Sequence, residues 1–384
     1  MKRIIITIII LLSISLIAMA ITDTTYLLNG LKVIYLRGQT DVGIYDYKAQ
    51  STTQIKATPR DEWELHEKFN QIQLSDSILK FHNELQSTAF LIIKDGKILI
   101  EKYFNDGGKK IPTGVWSITK TYTSLLVLKA IEDGLINSID DPVIKYVPKW
   151  NVKQDSMLKL RHLASMSTGL FWDEEDHNPF SLIAKLNFYG DLEKYTINDL
   201  YAVGNPGQTQ HYNSGGTQLL GNVLNNVLIE KSISEYLSEK FWQPLGCQNN
   251  AFFILDSEKH KNEKTFGGLV ANARDISRLG QLIINNGIWK GKKILDSTQL
   301  GILKSLPYNN KTYSYGYWTG LYNGKRFYYQ SEFKGQFCIS FPEYNLVITR
   351  FGHQALKKPN MENLSKDVFI YIKEALRIVE KIDT

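Results

Sequence analysis

Cysteine is scarce in this chain: Cys247 and Cys338 are the only two in 384 residues, and neither belongs to a CxxC pair. That excludes a disulfide scaffold and a cysteine zinc site, and leaves two buried free thiols as the expected state. Charge of one sign is equally thin. The formal net charge of +6 falls to +4 once Lys2 and Arg3 are set aside, and no basic block concentrates the remainder. Nucleic acid is therefore not an expected partner. The sequence also lacks GxSxG, HExxH, GxGxxG and a Walker loop, so neither a nucleophile elbow, a zinc-peptidase helix nor a nucleotide loop can carry its chemistry. No metal and no cofactor are expected. Internal repeats and low-complexity linkers are missing too. With 43% apolar and 22% charged residues, the composition is that of an ordinary globular chain, which excludes disorder and coiled coil.

What is present begins with Lys2 and Arg3, followed by an apolar run over residues 4–21 that only Thr7, Ser13 and Ser15 interrupt. Such a stretch is an export signal, and Ala18-Met19-Ala20 fits cleavage after Ala20. The absence of a cysteine there argues against a lipoprotein. The rival is retention as an anchor, because a run of this length just spans a bilayer with the positive end cytoplasmic. On either reading residues 1–20 stand apart from the fold, membrane association runs through residues 4–21, and the folded part lies outside the cytoplasmic membrane. Residues 21–85 read as a leading extension of undisclosed role.

Residues 89–104, AFLIIKDGKILIEKYF, place two β-rich runs around Asp95-Gly96, the signature of a type I′ hairpin. Asn323-Gly324 repeats the device near the other end, and FCISF and LVITRF follow. About five antiparallel strands are expected from both chain ends, with a terminal helix over residues 361–382 that could cover them. Residues 117–305 read as helical instead, including a helix from Thr119 to Asp133 ended by Gly134. The predicted fold is α/β of the α+β kind: a sheet from 86–116 and 306–384, flanked by helices, with an all-helical insertion and a cleft where the two meet.

Four SxxK copies occur, at Ser77/Lys80, Ser117/Lys120, Ser156/Lys159 and Ser331/Lys334. Only the second opens a long apolar helical run, which puts Ser117 in the first helical turn and Lys120 one turn on, facing the same way. A serine hydroxyl needs a neighbouring base, and a lysine serves as one when burial lowers its pKa. A helix N-terminus adds a positive field for a developing oxyanion. The plainer reading is a capping serine and a solvated lysine.

About a hundred residues on, NPGQTQHYNSGGTQLLGNVL sets Tyr212 and Ser214 in a glycine-rich turn before an apolar helix. The order SITK, RHLASMSTGL, YNS and GGLVANARDISRLGQLI resembles the serine β-lactamase and penicillin-recognising superfamily. Within it, the phrases are most similar to class C-like esterases and 6-aminohexanoate-dimer hydrolases, over residues 85–380. The resemblance implies a β-lactamase/transpeptidase-like fold over residues 86–384. It also implies Ser117 as acylated nucleophile, Lys120 as its proton partner and Tyr212 as general base and acid. Ser214 stands where the family has asparagine. The third family motif, KTG, is missing; Ser331-Glu332-Phe333-Lys334-Gly335-Gln336 takes its place, with Glu332 where relatives commonly have glycine. The backbone N–H groups of Ser117 and Phe333 would form the oxyanion hole.

Ser214, Trp116 and Trp172 are the expected substrate contacts, and most of the aromatics in residues 313–329 are assigned to sheet packing. His211, next to Tyr212, would point the other way on a strand, which speaks against a Ser/His/Asp triad. The expected function is an exported serine hydrolase acting on small esters or compact amides. The alternatives are a D,D-peptidase or weak β-lactamase, and an envelope binding module with an altered cleft.

Overall fold

The computed structural model describes residues 1–59, 62–150, 157–175, 178–307, 312–356 and 364–383. At the N-terminus, helix α1 (Lys2–Ile21) buries none of its residues against the protein and is long and apolar enough to cross a membrane, a test that a signal sequence also passes. At ~1.5 Å per residue it is about 30 Å long, the thickness of a bilayer's hydrocarbon core. Helix α2 (Tyr26–Val33) and strand β1 (Thr52–Ile55) follow, then helix α3 (Asp76–Glu84), whose first turn is capped by the Ser75 hydroxyl.

The central sheet has six antiparallel strands where about five were expected. Strands β2 (Ser87–Lys94) and β3 (Lys97–Tyr103) form one edge. Three short strands, β4 (Thr113–Gly114) and, later in the chain, β5 (Ala251–Ile254) and β6 (Leu269–Ala271), belong elsewhere. Strands β7 (Trp318–Tyr322), β8 (Lys325–Glu332), β9 (Gln336–Phe341) and β10 (Leu346–Gly352) complete the order β3-β2-β10-β9-β8-β7. Both predicted hairpin turns form. Asp95 and Gly96 have φ of 51° and 75°, and Asn323 and Gly324 have 49° and 76°, the left-handed pair that a type I′ turn requires.

Strand β2 is apolar without interruption from Ala89 to Ile93 because both its faces are covered. Phe90 and Ile92 pack with Val368, Tyr371 and Ile372 of helix α8 (Lys366–Asp383), while Leu91 and Ile93 belong to the core shared with helix α4 (Ile118–Glu132). Residues 361–363, where the terminal helix was expected to begin, lie outside the described residues. On the α4 side, helix α7 (Ala273–Ile284) lies so close to the sheet that a Cβ on Gly280 would meet Val347 Cγ1 at 2.6 Å. The middle of the chain also supplies helices α5 (Leu182–Phe188) and α6 (Ser214–Val227).

That middle region is not helical throughout, since β5 and β6 lie within it. They join β1 and β4 in a second antiparallel sheet of order β1-β5-β6-β4. Strands of two to four residues are too short to show a period of two, and their partners are remote in sequence. The leading extension thereby contributes a strand to the same sheet that carries β4 toward Ser117.

Candidate active site

Gly114 donates its N–H to Ile44 at 2.8 Å, and Val115 donates to Leu269 at 2.9 Å, so the chain is held on both sides just before Ser117. Trp116 then turns through a left-handed conformation, φ 49°, a strained state for a bulky residue that persists only where its surroundings enforce it. Ser117 takes the N-cap position of α4, but its side chain makes no capping bond. Lys120, one turn on, is 2% exposed. Its ammonium donates to Ser117 Oγ and, at 2.8 Å, to the carbonyl of Phe266. Neither half of the plainer reading fits these contacts: the hydroxyl is not a cap and the lysine is not solvated.

The other SxxK copies have no such setting. Lys80 is exposed and pairs with Glu84, Lys334 pairs with Asp41, and Ser156 lies outside the described residues.

Tyr212 is buried, with Lys120 Nζ 5.0 Å from its ring centroid. Its ring stacks on Trp318 at 6.0 Å and meets Tyr313 edge-on at 5.9 Å, so two of the aromatics assigned to sheet packing also steady the tyrosine. On either side of it, the His211 N–H reaches the Met166 carbonyl at 2.8 Å and the Asn213 N–H reaches Met166 Sδ at 3.2 Å. The Asn213 side chain accepts the Gly216 N–H at 2.7 Å and caps α6. His211 itself is exposed, its Nε2 3.1 Å from the Trp172 carbonyl oxygen.

Ser214 faces Glu174, which was not among the expected site residues. Its backbone N–H donates to Glu174 Oε1 at 2.8 Å, and its hydroxyl also bonds that carboxyl group. Burial pushes the Glu174 pKa up, opposed by the nearby Lys120 charge and by hydrogen bonds from Ser214. Trp172, expected to touch substrate, is 5% exposed and packs against the start of α6, where a Cβ on Gly215 would meet its ring at 2.4 Å. It supports the wall from behind. The resemblance sets the loop Phe171-Trp172-Asp173-Glu174 at the border of the cleft, but in the acidic run of residues 173–176 nothing separates Glu174 from its neighbours.

Phe333 follows β8, beside Lys334 at φ 61°. The Phe333 ring meets Trp116 edge-on at 5.8 Å, and Lys334 Nζ binds Asp41 Oδ2 at 3.0 Å. The Glu332 side chain lies outside the described residues. A cavity of about 430 Å³ is lined by Trp116, Ser117, Glu174, Tyr212, Ser214 and Phe333 together with residues of the leading extension; this is an ordinary size for a small-molecule site. Six of the seven residues read as functional therefore line one cavity or, as Lys120 does, bond to a residue that lines it.

An antiparallel sheet flanked by helices, with a serine opening a buried helix and a lysine one turn on, defines the class: a β-lactamase/transpeptidase-like fold. A family model described as Beta-lactamase matches residues 76–365, and the chain belongs to that family. Beta-lactamase-like protein 4 of Dictyostelium discoideum is 30% identical over 153 residues, 36% of this chain and 26% of that protein. The chain spans 26% to 35% of the length of the first curated relatives it matches. A Bacillus anthracis structure assigned as a 6-aminohexanoate-dimer hydrolase superposes with a TM-score of 0.69 at 19% identity, over 87% of this chain and 92% of that one. A family VIII carboxylesterase gives 0.62 at 16% identity, over 83% and 99%. At those identities the likeness is one of fold. The family is one of β-lactamase-fold serine hydrolases with esterase and amidase relatives.

Proposed function

We propose that this protein is a serine hydrolase that forms an acyl-enzyme at Ser117 and hydrolyses small esters or compact amides. The observation that carries the reading is the bond from buried Lys120 to Ser117 Oγ, at the rim of a cavity that Tyr212 also lines. In the forward step Ser117 Oγ attacks the substrate carbonyl carbon while its proton passes to a Tyr212 phenolate, which the Lys120 ammonium favours. The carbonyl oxygen becomes an oxyanion between the backbone N–H groups of Ser117 and Phe333. Collapse of the tetrahedral species breaks the bond to the leaving oxygen or nitrogen, which takes the proton from Tyr212. Water then repeats the sequence: it loses its proton to Tyr212, attacks the acyl carbon, and Ser117 leaves with that proton. Loss of the KTG cation disfavours a substrate carboxylate at that end of the cleft and favours uncharged esters and amides.

The same reading sets the folded part outside the cytoplasmic membrane, with α1 as signal or anchor behind Lys2 and Arg3. The test is 4-nitrophenyl acetate hydrolysis and fluorophosphonate labelling of the purified chain. Both are expected to vanish in Ser117→Ala, and ester turnover that survives that change would falsify the mechanism. Stable labelling of Ser117 by a fluorescent penicillin would redirect the reading to a D,D-peptidase.

A further inference from the structure

The cavity that begins at Ser117 continues into a half with a different character. Beyond Glu174 and Ser214 its walls are apolar: Leu27, Leu31 and Ile34 from α2 and the residue after it, facing Ile183 and Phe188 of α5. The two helices are pressed together, for a Cβ on Gly30 would meet the Phe188 ring at 3.3 Å. Polar ties fix the segment along its length. Asp23 binds Lys185 at 2.7 Å, the Tyr26 hydroxyl donates to the Pro179 carbonyl at 3.0 Å, and Asn29 Nδ2 donates to the Phe188 carbonyl at 2.9 Å. Asp41 closes the series on Lys334, next to Phe333. This stretch is therefore a built wall of the cavity, and it precedes residue 76, where the family match begins.

Leu28 and Leu31 line the cavity and yet are 41% and 44% exposed, forming an apolar rim open to whatever enters. Covering that surface is favourable for a ligand in proportion to its apolar area. We propose that residues 27–34 are a chain-binding wall, and that the substrate is an ester or amide bearing an unbranched apolar chain laid between α2 and α5. The proposal rests on the serine-hydrolase reading of Ser117 for the position of the scissile bond. Two sources share this chemistry, a soluble ester and a membrane lipid; Met19, near the end of α1, also lines the cavity. The wall itself lies beyond Ala20 and is the same whether or not α1 is retained.

The experiment uses the full chain in phosphatidylcholine nanodiscs, with 4-nitrophenyl acyl esters from acetate to octanoate and the matching n-alkyl acetates. In one series or the other, kcat/KM is expected to rise roughly fourfold for each methylene that enters the wall. The ratio of octanoate to acetate, or of octyl to ethyl acetate, is expected to fall at least tenfold, ~1.4 kcal/mol, in Leu28→Glu/Leu31→Glu. Leu31→Ala, a milder change at the same rim, is expected to lower it in the same direction. Fatty acid released from the nanodisc lipid assigns the lipid source, and hydrolysis of the added esters alone assigns the soluble one. Hexanoate binding to Ser117→Ala, followed by saturation-transfer NMR, reads the wall without catalysis. Hexanoate bound by this protein and lost on adding the two glutamates, with no ester cleaved by the native chain, keeps the wall and rejects the hydrolase. Chain-length ratios and hexanoate transfer that are both unchanged by the glutamates overturn the wall.

Discussion

Glu174 accepts the backbone N–H of Ser214 at 2.8 Å, which fixes a carboxyl group at the N-terminus of α6, on the cavity wall and within the field of Lys120. Three influences there favour the carboxylate: the helix dipole, the hydrogen bonds from Ser214 and the lysine charge. Burial opposes all three and prevails, so the pKa lies above the ordinary glutamate value of 4.5.

Glu174→Gln keeps the shape and removes the charge that faces Lys120. We expect kcat/KM to fall by on the order of tenfold, about 1.4 kcal/mol, with little change in the folded structure. The pH profile carries the sign. The ionised form exists above the raised pKa, so activity should decline as pH falls through a point above 4.5, and that acid limb should disappear in Glu174→Gln. For stability the direction reverses: the folded state holds this proton more tightly than the unfolded chain, so this group's contribution is lost as pH rises from 4.5 through the folded pKa. A profile identical in both proteins would remove Glu174 from the reaction.

Much of this site was legible in the sequence because the relevant signals are local. Ser117 and Lys120 are one helical turn apart, and Asp95-Gly96 and Asn323-Gly324 dictate their turns through φ alone. About five of the sheet's six strands were expected from the β-rich runs and turn residues at both chain ends. What escaped is made of long-range pairs. Strand β4 is two residues long and exists because Thr113 pairs with Ala271 and Gly114 with Val270. Glu174 became distinct from Asp173 and Glu175 only through Ser214, forty residues on. The role of the leading extension was not legible, since it depends on single bonds such as Asp41 to Lys334, 293 residues apart.

That last pair has its own consequence. Lys334 and Asp41 are partly exposed, so the ion pair should contribute under about 1 kcal/mol to stability. Yet Lys334 adjoins Phe333 and Asp41 adjoins Val42, both on the cavity wall. Asp41→Asn and Lys334→Ala are expected to shift the urea midpoint only slightly while lowering kcat/KM severalfold, with more effect on kcat than on KM. Steady-state kinetics beside urea titrations separate the two effects; variants with native kinetics would reduce the pair to surface decoration.

Cys247 and Cys338 are buried and unbridged. Burial raises both thiols, Cys338 to about 12 and Cys247 well above its usual range, and a thiol reacts as its thiolate. Ellman's reagent should therefore find no thiol in the folded protein and two after guanidinium unfolding. Rapid reaction under native conditions would mean that the core opens locally around one of them.

His82 gives a prediction about acid stability. Ser87 Oγ accepts the Arg350 Nε–H at 2.9 Å and is hydrogen-bonded to His82 Nδ1, also 2.9 Å away. The other ring nitrogen, Nε2, is buried without a hydrogen-bond partner among the described residues, so the site offers nothing to receive a second ring proton. Phe104 stacks on the ring at 5.0 Å and Tyr371 at 5.9 Å. Burial first, and the Arg350 charge second, lower the pKa from 6.5 to about 3, with Glu374 opposing. A base whose folded pKa is depressed contributes stability that is complete above pH 6.5 and is lost as pH falls from 6.5 toward 3, because the unfolded chain takes up a proton that the folded one refuses. One such group makes unfolding easier by about 2 kcal/mol between pH 6.5 and about pH 5. His162, lowered to about 4 by burial and by Lys159 and Arg161, adds in the same direction. Urea titrations across this range should show the decline, and His82→Leu should flatten its slope even though the variant is less stable at neutral pH for want of the hydrogen bond to Ser87. An unaltered slope in His82→Leu would assign the acid loss to other groups, His162 first among them.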